Sequence, residues 1–517
     1  MSTAAAPAAA QLPQGSERIL ISIAVMLATV MQVLDMTIVN VALPHMMGSL
    51  SASADQITWV LTSYLVAAAI FTPLTGYLTN RLGQKRFLLI SITGFISASV
   101  LCGLAQNLTE IVLFRLLQGI FGAPLVPLSQ SIMSNTFPPE QRGRAMAFWG
   151  MGVMAGPIMG PTLGGYLTEA INWRWVFLIN LPVGLLSLFM VLRYIRDTPR
   201  RTVPTDWTGL GLMALGIGAM QIVLDRGNQE DWFSSYFILS MALLSGLSLV
   251  TFVLRGWNNP HNIVNLKLFK DRNFATATVM MGVFGLGLFG TVALQPLLLQ
   301  ELLGYPVLTS GLVIAPRGIA TMFSMLVVSR LIVRFDPRII IGTGMIIAGL
   351  GTYYMTYYSL DIDIWWVVWP GLLQGLGLGF IFVPLSAMAL ETIPRQAAAE
   401  AAGLFSLFRT VGSAVGISVA TTVLSRQNQV TWNEIGAHVQ PFNPALAAWL
   451  DHMHMSLEDP QTLALLGQQV AAQARMLAFV DVFWMIALSF VVMLPFLLVM
   501  RRPAHQQRGR VEAPVME

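Results

Sequence analysis

Charge is what this chain has least of. Asp, Glu, Lys and Arg make up 10% of its 517 residues, against 55% hydrophobic residues. A water-soluble protein of this length could not cover its surface with so few charges, so the composition is that of an integral membrane protein. Cysteine is almost missing as well. The single Cys102 lies in an apolar run, which excludes an intrachain disulfide. Met1–Ser16 is rich in Ala, Pro and Gln and has no basic side chain. It therefore lacks the n-region of a cleaved signal and reads as a disordered tail before a retained first span. No GxxxxGK[ST] phosphate loop occurs, so ATP drive is not expected. His452 and His454 stand two apart in a polar stretch without Cys, and no metal site is expected there.

What the chain does have is long apolar runs. Fourteen stretches of 18 to 27 residues fall at 19–43, 57–79, 87–105, 109–134, 144–168, 174–195, 207–224, 234–254, 274–300, 307–329, 339–359, 364–390, 398–424 and 477–500. Each is long enough to cross roughly 30 Å of hydrocarbon as a helix. The basic residues test the count. With the N-terminus cytoplasmic, 22 of the 29 Lys and Arg residues collect on the cytoplasmic side. Four (Arg174, Arg226, Arg426 and Arg475) lie on the other side, and Arg115, Arg317 and Arg409 fall within spans. So uneven a split is what the positive-inside rule demands, with both termini cytoplasmic. The basic pI thus reports orientation, and no nucleic-acid partner is implied. The lipid bilayer is the partner that composition requires.

The sequence repeats itself at half its length. Leu116-Leu117-Gln118-Gly119 returns as Leu372-Leu373-Gln374-Gly375, and Val126-Pro127-Leu128-Ser129 as Val383-Pro384-Leu385-Ser386. Gly156 and Gly160 match Gly412 and Gly416. Parallel repeats of this kind mark transporters with a substrate site between the halves. The expected fold is all-α and membrane-embedded: two six-helix bundles with two inserted helices. The segments are a tail at 1–18, a first bundle at 19–205, extra helices at 206–255 and a linker at 256–273. A second bundle at 274–500 carries a long loop at 425–476, and a tail follows at 501–517.

Departures from the repeat single out chemistry. Asp35 faces Gly290, Arg115 faces Gly371, and Arg409 faces Val153. A carboxylate within hydrocarbon costs several kcal/mol by roughly any estimate, and is kept where it is paired, wet or used. Asp35 is the acid deep in the first half, and Arg115 is its natural partner. The plainer alternative is that both satisfy helix-packing hydrogen bonds. Arg115 shares a helical face with Gln118 and Gly119. Gly152, Gly156, Gly160 and Gly164 recur every four residues beside Pro157, Pro161 and Gly165, a smooth ridge on a helix bent by two prolines. Static packing is the rival reading of that ridge. Candidates for the wall of a substrate cavity are Gln32, Asn40, Trp59, Tyr64, Gln118, Gln295, Gln374 and Arg409; the aromatic ones could equally pack against lipid.

Gly76-Tyr77-Leu78-Thr79-Asn80-Arg81-Leu82-Gly83-Gln84-Lys85-Arg86 joins spans two and three. With Leu34 to Pro44, Arg115 to Gly119, Gly156-Pro157 through Gly164-Gly165 and Trp173 to Pro182, this loop resembles the major facilitator superfamily. The likeness is to its fourteen-helix drug:proton antiporter branch, closest to EmrB-type multidrug efflux pumps, and it covers residues 19–500. It implies a proton-coupled exporter of hydrophobic drugs or toxic compounds in a bacterial inner membrane. The proton gradient would be the drive and no cofactor is needed. Asp35 and Arg115 would couple to the proton, the span-five glycines and prolines would gate, and a periplasmic membrane-fusion adaptor with an outer-membrane channel would be the partner. The branch usually has Asp where this chain has Asn80, which weakens the expected cytoplasmic latch. An exporter of an endogenous metabolite, lipid or siderophore fits the same residues. A membrane enzyme would need catalytic pairs that the sequence does not offer, and a receptor or scaffold would not need the Asp35–Arg115 pair.

Overall fold

The computed structural model describes residues 15–501, apart from 139–140, 201–203, 260–261 and 441. The expected tails, with Arg502, Arg508 and Arg510, therefore lie almost wholly outside the described residues. Fourteen long helical segments follow one another. They are α1 (Ser16–Leu50), α2 (Trp59–Leu82), α3 (Gln84–Leu104), α4 (Leu108–Thr136), α5 (Arg142–Ala170), α6 (Trp175–Tyr194) and α7 (Trp207–Arg226). The second series is α8 (Tyr236–Asn258), α9 (Arg272–Leu302), α10 (Val307–Leu331), α11 (Pro337–Tyr357), α12 (Ile364–Glu391), α13 (Arg395–His438) and α14 (Pro460–Val499).

Thirteen of these are long and apolar enough to span a membrane by composition alone. The fourteenth is α5, whose recurrent glycines dilute its hydropathy but not its length of 29 residues. The scarce polar residues are spent at helix starts. Asn107, Asp206, Asp271, Asp336, Asp363 and Asp459 each accept a backbone amide at an N-terminus, which satisfies donors that the helix itself cannot.

The packing repeats as the sequence does. In the first half α1 lies on α5 and α6, α2 on α4, and α3 on α4 and α6. In the second half α9 lies on α13 and α14, α10 on α12, and α11 on α12 and α14. The halves meet through α5 against α10 and α12, and through α13 against α2 and α4. The inserted pair packs on itself, and α7 also touches α2 and α13, so it contacts both halves. Its partner α8 is the least buried span, with Leu247 and Leu254 each 70% exposed, as a lipid-facing helix should be.

Asp206 ties this pair together. It caps α7 through the Gly209 amide and receives Arg255 of α8 (2.7 and 2.8 Å) and Asn259 just past its end (2.9 Å). Desolvation pushes its carboxyl up, while Arg255, the Gly209 amide and Asn259 together pull it further down, leaving it below the ordinary Asp range. A carboxyl depressed on folding gives stability that is full above its unfolded value and lost as pH falls through the folded one. Asp206→Ala should cost about 1 kcal/mol at neutral pH. It should also flatten the acid-side fall in thermal stability, as a pH series of melting curves would show.

The expected loop at 425–476 requires correction. Helix α13 runs on to His438, a short helix occupies Pro444–Met453, and α14 begins at Pro460. Most of the polar residues that read as loop sit on extensions of the two spans or on the short helix between them.

Candidate functional site

Asp35 is fully buried on α1, and three side chains from two helices converge on it. Arg115 of α4 donates to Oδ2 at 2.6 Å, while Gln118 of α4 and Asn180 of α6 donate to Oδ1 at 2.9 and 2.8 Å. Ser99 of α3 accepts from both amides at 3.0 Å and donates to the Phe177 carbonyl at 2.8 Å. Arg115 uses its other donors on the Val60 carbonyl and on Gln118 Oε1. Every polar atom facing the carboxylate is thus a donor, the arrangement that holds an anion in an apolar interior. Asn180 and Ser99 were not singled out in the sequence. Asn180 lies in the quoted span-six motif, and an amide at the head of an apolar span was the available signal.

Arg115 also lies over the Tyr64 ring, 4.2 Å from its centroid, and the Tyr64 hydroxyl accepts from Gln32 at 3.0 Å. Gln32 lines a cavity of about 280 Å³ between the halves. Val33, Met36 and Leu65 of the first half, Gln221 and Asp225 of α7, and Phe289 and Arg409 of the second half also line it. Asp35 does not reach this cavity; Tyr64 and Gln32 stand between. From mid-span the cavity runs toward Asn228, Gln229 and Thr421, the end opposite the termini.

The other cavity candidates separate. Asn40 is exposed and is not among the residues that line this cavity. Trp59 lies under the Arg226 guanidinium, 4.6 Å from its ring centroid. Gln295 and Gln374 accept from Arg317 at 3.1 and 3.2 Å, and Gln374 donates to Thr291 and Thr352. This second cluster mirrors the first, with Gln374 in the place of Gln118. By contact the counterpart of Asp35 is Thr291 rather than Gly290, a register shift of one residue. Gly371 replaces Arg115, and the Arg317 side chain from α10 comes within 3.7 Å of where its Cβ would be. One cluster holds an acid; the other holds only neutral partners for its arginine.

Helix α5 presents two faces. A Cβ on Gly156 would lie 2.6 Å from the Val33 backbone, and one on Gly164 would lie 2.8 Å from the Ile38 carbonyl. A Cβ on Gly160 would overlap Thr37, whose hydroxyl already donates to the Gly156 carbonyl at 3.0 Å. Gly152 comes close to Met26 and Val30, and Gly165 is buried. The glycine ridge therefore seats α1, the helix of Asp35. Pro157 and Pro161 face the second half, beside Arg317 and Gly318 of α10.

At the end bearing the termini, Asn80 donates to Glu400 of α13 at 2.8 Å, across the two halves. Gly76 permits that approach, since a Cβ there would collide with Glu400. Gly83 turns the chain between α2 and α3 with φ +85°. Arg81 bonds Tyr77 and Thr205, Lys85 reaches the Leu192 carbonyl, and Arg86 pairs with Asp197 at 3.6 Å. No sequence motif marks Glu400, which only the fold brings to Asn80. Asn80→Asp would set two carboxylates against each other, so the contact should open. Spin-label distances between the α2–α3 turn and the start of α13 should lengthen in that variant.

A two-bundle membrane fold with a buried ion pair beside a cavity between its halves is the architecture of a membrane transporter. The Major Facilitator Superfamily pattern matches residues 25–417, and the chain belongs to that family. It is 36% identical to the multidrug export protein EmrB of Escherichia coli K12, over 93% of this chain and 95% of that one. It is 35% identical to the fatty acid resistance protein FarB of Neisseria gonorrhoeae, over 93% and 96%. Among solved structures, the human organic anion transporter MFSD10 shares the fold at a TM-score of 0.58 and 14% identity, over 92% of this chain and all of that one.

Proposed function

We propose that this protein is a proton-coupled antiporter that exports small hydrophobic compounds across a bacterial inner membrane by alternating access. The observation that carries the reading is Asp35, a buried carboxylate met only by donors and linked through Arg115, Tyr64 and Gln32 to a cavity between the halves. Ionised, it draws α4 and α6 onto α1. Protonated, it cancels the charge opposite Arg115 and places a hydroxyl among donors, so the cluster must rearrange. A compound in the cavity touches Gln32, two contacts from the same arginine. Proton and substrate therefore act on shared side chains, and each changes the affinity for the other.

The uneven distribution of basic residues supports cytoplasmic termini. The Asn80–Glu400 contact then closes the cytoplasmic side while the cavity reaches toward the periplasm, an outward-facing state of a rocking cycle. In proteoliposomes, an imposed proton gradient should drive uphill substrate accumulation, and a proton ionophore should abolish it. Accumulation that persists without the gradient would refute the coupling. The relative named for fatty acid resistance favours a second reading, that amphipathic lipids are exported too.

We propose that the stretch at 425–476 docks a periplasmic membrane-fusion adaptor that leads to an outer-membrane channel. Replacing residues 430–470 by a short Gly/Ser linker should then abolish resistance in intact cells and spare transport in proteoliposomes. Full resistance in cells would remove the adaptor role.

A further inference from the structure

The inserted helices have no counterpart in the repeat, yet α7 puts a carboxylate into the central cavity. Asp225 lines it together with Gln221, one helical turn earlier on the same face. Its hydrogen-bond partner is the Thr62 hydroxyl of α2, and it enters no ion pair among the described residues. Arg226, next in sequence, turns away onto Thr58 and Trp59.

Two further acceptors point the same way. Gln221 Oε1 and Gln32 Oε1 are buried and have no hydrogen-bond partner among the described residues, although both side chains line the cavity. Buried acceptors are normally satisfied, and their accumulation in one wall calls for a donor from the occupant. The fixed positive charge, Arg409, stands on the second half of the same cavity. One wall therefore offers a carboxylate and two carbonyl acceptors, and the other offers a guanidinium.

We propose that Asp225, with Gln221 and Gln32, forms a cation subsite that takes the protonated amine of an amphipathic substrate, and that the inserted helices thereby add a specificity element to the cavity. Asp35 remains the proton site, because it does not reach the cavity. The subsite deepens the export reading and rests on it for the word substrate. A soft wall of Met36, Leu65 and Phe289 receives the apolar body. Arg409 orients the molecule by repelling its amine end.

The test uses the purified full chain with two fluorescent probes, a dansyl alkylamine and the dansyl alkylcarboxylate of equal chain length. Asp225→Asn should weaken amine binding by about tenfold and leave the carboxylate unchanged, the effect of removing one partly screened charge. Asp225→Glu should restore the amine, and Arg409→Gln should weaken only the carboxylate. Should Asp225→Asn not fold, Gln221→Leu removes an acceptor from the same face and should weaken the amine selectively. Wild-type amine affinity in Asp225→Asn or Gln221→Leu, or equal loss of both probes, would overturn the subsite. Transport in proteoliposomes keeps the two ideas apart. If wild-type protein moves the amine and Asp225→Asn moves it equally well, the subsite fails and the export reading stands. If Asp225-dependent binding occurs without uphill movement, the subsite stands and the export reading fails.

Discussion

Asp35→Asn is expected to abolish gradient-driven export. Asn has nearly the same shape but cannot take up and release a proton, so the cycle loses its coupled ion. The geometry adds a second consequence. All three neighbours of Asp35 are donors, so an amide nitrogen placed there must face Arg115 or else the Gln118 and Asn180 amides. Arg115 would be left as a buried cation without its anion, at a cost of about 3–5 kcal/mol. The variant should therefore insert in the membrane but melt earlier than the wild type. Adding Arg115→Gln should recover stability, since neutral partners replace an orphaned charge, and should not recover transport. Uptake into vesicles under an imposed gradient, beside thermal unfolding, separates the two effects. Restored export by the double variant would mean that the pair is structural.

The second large effect is expected at Gly160. A Cβ there overlaps Thr37, and the next ridge positions offer no more room, at 2.6 Å from Val33 and 2.8 Å from Ile38. Gly160→Leu must push α1 off α5, and α1 carries Asp35. Transport should fall by at least about tenfold while membrane insertion persists, because close small-residue packing has no substitute at that spacing. Pro157→Ala, on the face toward α10, should be milder. Cysteine cross-links between α5 and α1 report the wedge directly. A Gly160→Leu protein with normal α1–α5 cross-links and normal uptake would leave the ridge without a role.

The glycine ridge shows what the sequence could and could not say. Its spacing announced close packing, but not that the partner is α1 of the same bundle rather than the opposite half. The spans, the repeat and the Asp35–Arg115 pair were legible because apolar length, periodicity and intramembrane charge are all one-dimensional signals. Asn40 follows Gln32 and Met36 at four-residue spacing and so shares their helical face, yet the cavity wall on α1 stops at Met36. Asp225 was hidden by its place beside Arg226 at a span end, where two charges read as an interface. Asn180 is a single polar residue in an apolar run and Ser99 one of several hydroxyls in its span, and only the fold gathers them around Asp35. The stretch at 425–476 read as loop because its composition is polar, while a solvated helix is polar too.

Proton release on substrate binding tests the coupling claim most directly. Purified protein in a lightly buffered detergent solution with a pH indicator would be titrated with a transported compound, beside Asp35→Asn. The wild type should release protons in proportion to compound bound, on the order of one per site by linkage, and Asp35→Asn should release none. Saturable binding to the wild type with no proton released, or equal release from Asp35→Asn, would contradict the assignment of Asp35 as the coupling group.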